Sequence, residues 1–175
     1  GGQTAATLIA SADEQKLASI LYEYGELRNS RALAAALVRQ RDNTPILSTF
    51  DLIKALERFA PKFKDHKFYA QVFQAFRIEV NQEMQVLKDF LEQAAQILKP
   101  DGRLVVMSYH SLEDRLVKNF MKRGSFSGEI EKDFFGNVQK PLTEVNRHPI
   151  IADAEECERN SRARSAKLRI AKRNG

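Results

Sequence analysis

Apolar side chains recur at helical spacing through the first sixty residues of this 175-residue chain, and turn residues interrupt them at short intervals. After a Ser-x-x-Glu capping box at residues 11–14, for instance, Leu17, Ile20, Leu21 and Tyr24 fall three or four positions apart. The pattern predicts three short helices, over residues 11–24, 29–41 and 48–60. The first part of the chain should therefore be helical, with one buried face on each helix.

The longest helical pattern begins near Tyr69 and continues to Leu98, where Lys-Pro-Asp-Gly predicts a tight turn. The valine-rich run Arg103–Ser108 has the composition of a strand buried on both faces, and helical spacing resumes from Leu112 to Lys122. One long helix, a turn, a buried strand and another helix predict an α/β arrangement rather than a helical bundle.

Two further strands are predicted near the end of the chain, over residues 141–145 and 165–171. Charged and apolar residues alternate in the second of them, as in a half-buried or edge strand. A polar, acidic segment separates the two strands, and the fading pattern over residues 124–136 predicts a loop. The whole chain should then be helix-rich, with a small number of strands in its second part.

Composition and charge narrow the possible functions. The chain is 43% hydrophobic and 29% charged, as folded globular proteins are, and no apolar run is long enough to cross a membrane. No N-terminal signal pattern is visible, so we expect a cytoplasmic protein without a membrane partner. Cys157 is the single cysteine and lacks metal-ligand neighbours. After Glu158 the chain carries seven basic residues and no acidic one, which favours a nucleic-acid partner and a solvated basic terminus equally.

The strongest candidate for chemistry is the segment SYHSLEDR at residues 108–115, where the predicted strand ends and a helix begins. Ligands of open α/β sheets bind at the carboxyl ends of strands. Helix capping explains part of the segment, because Ser111 can cap the helix and Asp114 can answer from its first turn. Capping does not require Tyr109, His110 or Arg115. On the pattern alone, a functional site and a helix cap are both possible explanations of this segment.

Two weaker candidates precede this segment. In the segment FQAFRIEVN at residues 73–81, polar side chains such as Gln74 and Arg77 lie off the apolar stripe, and ordinary solvated positions are the simpler interpretation. Basic residues interleave with aromatic ones from Lys62 to Phe76, a combination that can bind phosphates and stack on bases. Most of these aromatic residues fit a buried helical stripe, so only the basic residues are good candidates for nucleic-acid contact.

Several motifs are absent from the chain. It contains no Gly-x-Gly turn that could hold a dinucleotide or nucleoside, no His or Cys cluster with metal spacing, and no Ser or Cys nucleophile elbow. We therefore expect neither a metal site nor a cofactor-binding motif within these residues.

Several segments, in order along the chain, resemble motifs of the bacterial 16S ribosomal RNA cytosine-N4 methyltransferases, the RsmH or MraW family. The segments at residues 2–6, 24–26 and 38–41 are similar to that family's helical insertion. FQAFRIEVNQE, PDGRL, SYHSLEDRLVK and NSRARSAKLR resemble its FQAxRIxVNxEL, PGGRL, SFHSLEDRIVK and NPRARSAKLR motifs. The departures are small: Tyr109 stands where the family usually has Phe, Asp101 where it has Gly, and Ser161 where it has Pro. The family's glycine-rich turn and acidic motif have no match.

The resemblance implies a helical substrate-recognition domain over residues 1–68. Residues 69–175 would form the C-terminal part of a doubly wound, Rossmann-like methyltransferase sheet. The parent protein would transfer a methyl group from S-adenosylmethionine to N4 of a cytidine in 16S rRNA, with the small ribosomal subunit as its partner. The S-adenosylmethionine site would lie in an N-terminal half absent from this chain, which alone would be inactive. The alternatives are a non-catalytic RNA-binding module and a structural core without activity.

The site residues expected on this basis cluster after the predicted strand. Catalytic contacts to the base are expected from His110, Asp114 and Glu113, and a stacking wall from Tyr109. The remaining expected substrate residues are Ser111, Arg115, Arg77, Gln74, Arg162 and Arg164, with the arginines as phosphate contacts or salt-bridge partners. Because the strand at 103–108 would lack partners on one side, we also expect a homodimer or a rearranged strand order.

Overall fold

The computed structural model describes residues 2–130, 134–136 and 140–175. They form two compact units, Gly1–Glu83 and Met84–Gly175, each with its own apolar core. The division therefore falls later than the boundary expected after residue 68. The reason is that Val72, Ala75 and Phe76, which follow that boundary, are buried in the core of the first unit.

The first unit is helical, as its sequence pattern predicts. Leu17, Leu21, Leu33, Leu37 and Leu56 are fully buried between its helices. A 3-10 turn at Glu57–Phe59 follows the fourth helix, and Pro61 comes after it. The helices are α1 (Ala5–Ser11), α2 (Glu14–Glu23), α3 (Ser30–Asn43), α4 (Thr49–Leu56) and α5 (Asp65–Val80).

Two of the predicted helix starts have different outcomes. The capping box of α4 is confirmed, since Ser48 accepts from the backbone of Asp51 and Asp51 accepts from the backbone of Ser48. The box predicted at Ser11 is wrong, because α1 occupies the chain up to that residue. Asp13 caps α2 instead, accepting a 2.7 Å hydrogen bond from the Lys16 N–H.

The single long helix predicted from residue 69 to 98 is two helices, α5 and α6 (Glu83–Ile97). Gln82 breaks them apart with a left-handed backbone, at φ 51°. The Glu83 carboxylate accepts from Arg77 Nε at 2.8 Å and from Asn81 Nδ2 at 3.1 Å, which ties the end of α5 to the break. Apolar spacing alone misses this break because Val80 and Met84 are four residues apart, as they would be in a continuous helix.

The second unit contains α6 and a small sheet, and the three predicted strands are confirmed as β1 (Arg103–Ser108), β2 (Leu142–Glu144) and β3 (Lys167–Arg173). The order is β1-β3-β2, and β3 is antiparallel to both neighbours. β3 is therefore central in the described sheet and not an edge strand. Helices α7 (Ser111–Arg123) and α8 (Ala154–Arg159) complete the unit. No parallel pair occurs among the described strands, so a doubly wound sheet stays a proposal.

Burial on both faces is wrong for β1. Leu104 and Val106 are buried against α6 and α7, whereas Val105 and Met107 are 54% and 51% exposed. Helices α6 and α7 pack on one face of the sheet, and the alternate side chains of β1 on the other face remain half exposed.

The described part of the segment predicted as a loop, residues 124–130 and 134–136, contains no helix or strand. The rest of that prediction, 131–133, lies outside the described residues. None of the helices described is both long and apolar enough to cross a membrane.

Candidate functional site

The turn between β1 and α7 is built on a capping box that differs from the predicted one. His110 is the N-cap, and its Nδ1 accepts from the Glu113 N–H at 3.4 Å. The Glu113 carboxylate accepts in return from the N–H groups of Tyr109, at 2.8 Å, and His110, at 3.3 Å. Ser111 is already the first helical residue, so the predicted Ser111–Asp114 box is wrong by one residue.

One ring nitrogen of His110, Nε2, takes no part in the capping box. Because Nδ1 accepts a backbone hydrogen bond, a neutral ring carries its proton on Nε2. Nε2 is buried, lies 3.3 Å from Glu113 Oε1 and makes no hydrogen bond of good geometry within the described residues. Burial raises the pKa of the Glu113 carboxyl, but the adjacent His110 ring and the backbone N–H groups of Tyr109 and His110 outweigh it and leave that pKa below its ordinary value.

Asp114 is committed to an ion pair with β3. Its oxygens accept from Arg169 Nε at 2.7 Å and Nη2 at 3.2 Å, and Lys167 Nζ lies 3.3 Å away. Burial raises the pKa of the Asp114 carboxyl, but Arg169 and Lys167 together lower it by more, so the net shift is downward. The geometry thus favours holding α7 on the sheet over the expected contact with a base.

Sequence reasoning did not single out Arg169 and Lys167 as partners of this site. The available signal was the alternation in residues 166–171, which places the two cations on one face of a strand. That face turns out to be the helix-covered one, and Arg169 is only 7% exposed.

A groove of roughly 800 Å³ lies beside the carboxyl end of β1, within the second unit. It lies on the sheet face opposite α6 and α7, since Met107 and its cross-strand partner Leu168 both line it. Tyr109 and Arg162 also line this groove, so two of the expected substrate residues come together there. Residues that sequence reasoning missed, Glu156 and Asn160, stand beside them.

The other expected site residues lie elsewhere. His110, Ser111, Glu113 and Asp114 form the turn but do not line the groove, and Arg164 is exposed. Arg115 is exposed and has no ion pair within the described residues. Gln74 and Arg77 belong to the first unit. Gln74 Nε2 donates to the Tyr24 carbonyl at 2.9 Å. Arg77 forms a bidentate ion pair with the Glu83 carboxylate.

The described residues do not form a recognisable cofactor or metal site. No group of three or more His, Cys, Asp or Glu side chains among them converges as metal ligands would. A Cβ at Gly25 would meet the Leu21 carbonyl oxygen at 2.7 Å, and one at Gly102 the Lys99 carbonyl oxygen at 2.8 Å. These two glycines accommodate the chain's own helix ends rather than the phosphate or nucleoside of a ligand.

Comparison with known proteins identifies the relatives of this chain. A family model described as the MraW methylase family matches residues 1–174. The chain belongs to this family. The resemblance inferred from its motifs is thereby confirmed.

Three curated relatives carry the name ribosomal RNA small subunit methyltransferase H. The protein of Cytophaga hutchinsonii is 57% identical over 171 residues, which are 98% of this chain and 57% of the relative. That of Parabacteroides distasonis is 52% identical over 98% of this chain and 56% of the relative. That of Flavobacterium psychrophilum is 52% identical over 97% of this chain and 58% of the relative. The chain thus spans little more than half the length of these relatives.

Proposed function

We propose that the protein containing this chain methylates the RNA of the small ribosomal subunit, with S-adenosylmethionine as donor and N4 of a 16S cytidine as acceptor. Membership of the MraW methylase family and the names of the relatives support the reaction class. The observation that carries the role of this chain is the groove at the end of β1, where an aromatic ring and a guanidinium converge.

The groove has the size and chemistry to receive one nucleotide turned out of its stack. Ligand pockets commonly measure about 300–1,000 Å³, and this one measures roughly 800 Å³. The ring of Tyr109, which is 55% exposed, would stack on the base, and Arg162 would contact a phosphate. Glu156 would accept a hydrogen bond from the cytosine amino group, as carboxylates do in base recognition.

Orientation is the main contribution expected of these residues. The N4 lone pair of cytosine is delocalised into the ring, so the amine reacts only when it is aligned with the incoming methyl group. S-adenosylmethionine supplies an electrophilic methyl carbon, and the residues that bind it would lie outside this chain. We keep the contact of His110 with the substrate as a proposal, in which Nε2 donates the hydrogen bond that it does not make among the described residues.

The reaction and the groove can be tested together in a protein of the full length of the relatives. We expect it to transfer labelled methyl groups to N4 of a cytidine in small subunits lacking that modification. Tyr109→Ala should lower kcat/KM at least about tenfold, on the scale of one stacked base, while Tyr109→Phe should retain it. Tyr22→Ala, at another exposed tyrosine, is the control. The absence of methyl transfer to the RNA would contradict the function, and an unaffected Tyr109→Ala variant would contradict the groove.

The 175-residue chain by itself should not bind S-adenosylmethionine. The reason is that its sequence contains no Gly-x-Gly turn of the kind that holds a nucleoside. Calorimetric titration to millimolar ligand should give no heat of binding. Micromolar affinity would place a cofactor site within this chain and would contradict the proposal that the residues that bind S-adenosylmethionine lie outside it.

A second candidate function is a non-catalytic RNA-binding module. The observation that favours it is the set of exposed basic residues near both ends of α5 and in the C-terminal segment.

We also keep the homodimer as a proposal, because the outer edge of β1 pairs with no other strand in the described residues.

A further inference from the structure

A short turn in the first unit exposes an aromatic ring completely. The Lys64 N–H donates to the Pro61 carbonyl at 3.1 Å, which closes a four-residue turn before α5. Phe63 is the third residue of this turn, its backbone is left-handed at φ 65°, and its side chain is 100% exposed. Phe68 and Phe76, which follow in α5, are buried in the core of the unit, so Phe63 differs from them in exposure.

Neither backbone preference nor packing explains a phenylalanine at this position. Turns with a positive φ at their third residue favour Gly or Asn, because a Cβ there crowds the backbone. A fully exposed ring removes no apolar surface from water, so it gains no stability from burial. Unfavourable backbone conformations that persist without a packing reason are typical of binding sites.

The charge around Phe63 is strongly positive. Four basic side chains and one carboxylate, Asp65, lie between residues 58 and 67. Lys62, Lys64 and Lys67 are exposed, and within the described residues none of them lies in an ion pair. Unpaired lysines on both sides of an exposed ring complement a flexible polyanion that carries flat, apolar groups.

We propose that Phe63 stacks on an unpaired base of RNA while Lys62 and Lys64 contact the neighbouring phosphates. This site lies within the first unit and deepens the proposed function, since it rests on RNA being the substrate. A protein partner fits less well, because the residues directly flanking the ring are lysines rather than further apolar side chains.

The test uses the 175-residue chain and a fluorescent, unstructured 12-nucleotide RNA, followed by anisotropy at low salt. Phe63→Leu should weaken binding about tenfold, because leucine retains the apolar character and the same backbone cost but cannot stack. Phe63→Trp should restore the affinity. Against an oligomer with the same phosphates and no bases, wild type and Phe63→Leu should bind equally. Phe50→Leu, at an 80% exposed ring in α4, is the matched control.

The lysines have a separate signature. The double variant Lys62→Gln, Lys64→Gln should weaken binding to both oligomers. It should also make the binding constant less dependent on salt. Each phosphate contact of a single strand contributes roughly 0.7 to the slope of the logarithm of the binding constant against the logarithm of the salt concentration, so the loss of two contacts should reduce the slope by about 1.4. An unchanged slope would overturn their assignment to phosphates.

Folding is monitored in parallel, and Phe63→Asn should not lower the Tm, because asparagine tolerates the left-handed backbone. Equal affinity of wild type and Phe63→Leu for RNA would overturn the stacking site, as would equal losses on both oligomers. The proposed function is judged separately, by methyl transfer in the longer protein. A failure of one therefore remains distinguishable from a failure of the other.

Discussion

Replacing Asp114 with alanine should lower the free energy of unfolding of the second unit by about 3 kcal/mol, the scale of breaking a buried ion pair. The side chains of Asp114 and Arg169 are only 11% and 8% exposed, and both carboxylate oxygens accept from the guanidinium. Without Asp114, Arg169 would keep its charge with no buried partner. Hydrogen exchange of the β1 and β3 amides would measure the loss in this unit.

The control for this prediction is a second carboxylate that pairs with the same strand. Asp101 lies 2.8 Å from Lys172, but its side chain is 80% exposed, so water and salt screen the pair. Asp101→Asn, which removes the charge and tolerates the left-handed backbone of this position (φ 65°), should leave exchange in the sheet unchanged. The double variant Asp114→Leu, Arg169→Met should recover most of the lost stability, because it removes both charges at once. Equal effects of the two aspartate variants would show that burial of the Asp114 pair is unimportant.

The Asp114 pair should also make stability depend on pH. Its carboxyl has a lower pKa in the folded chain than in the unfolded one, so the folded state binds fewer protons. The stabilisation is therefore complete above the unfolded pKa, about 3.9, and is lost as the pH falls through the lower folded pKa. Wild type should lose more stability on acidification than Asp114→Ala, and parallel pH profiles would contradict this assignment.

If the proposed function holds, substituting His110 in a protein of the relatives' full length should lower methyl transfer at least about tenfold, on the scale of a lost positioning contact. The structural reason is the buried Nε2, which has no hydrogen bond of its own among the described residues. His110→Ala would also remove the N-cap of α7 and cost about 1 kcal/mol of stability. A slow enzyme could therefore result from either loss.

His110→Ser separates the two effects, because a serine hydroxyl caps a helix but has no imidazole. We expect His110→Ser to unfold like wild type and to methylate as slowly as His110→Ala. Asp13→Ala, which removes the cap of α2, is the matched control and should reduce stability without reducing turnover. Full turnover by His110→Ser in single-turnover assays would rule out a functional role for the ring.

Local pattern was sufficient for several features that depend on neighbours in sequence, although it misplaced the caps of α2 and α7. The capping box of Ser48 and Asp51 and the positions of the three strands followed from the chain itself, because caps and alternation involve residues a few positions apart. The ordered motifs also identified the family, which the family model confirms. These features need no knowledge of what packs against them.

The tertiary structure decided what distant residues do to one another. Asp114 and Arg169 are separated by 55 positions, and only the pairing of β1 with β3 brings the guanidinium beneath α7. Likewise, helical spacing was the same on both sides of Gln82, and aromatic content was the same for Phe63 as for the buried Phe68. The spacing of residues tells which of them lie on the same face of a helix or strand. Their burial and their partners depend on the segment that packs on that face, and the local sequence does not specify that segment.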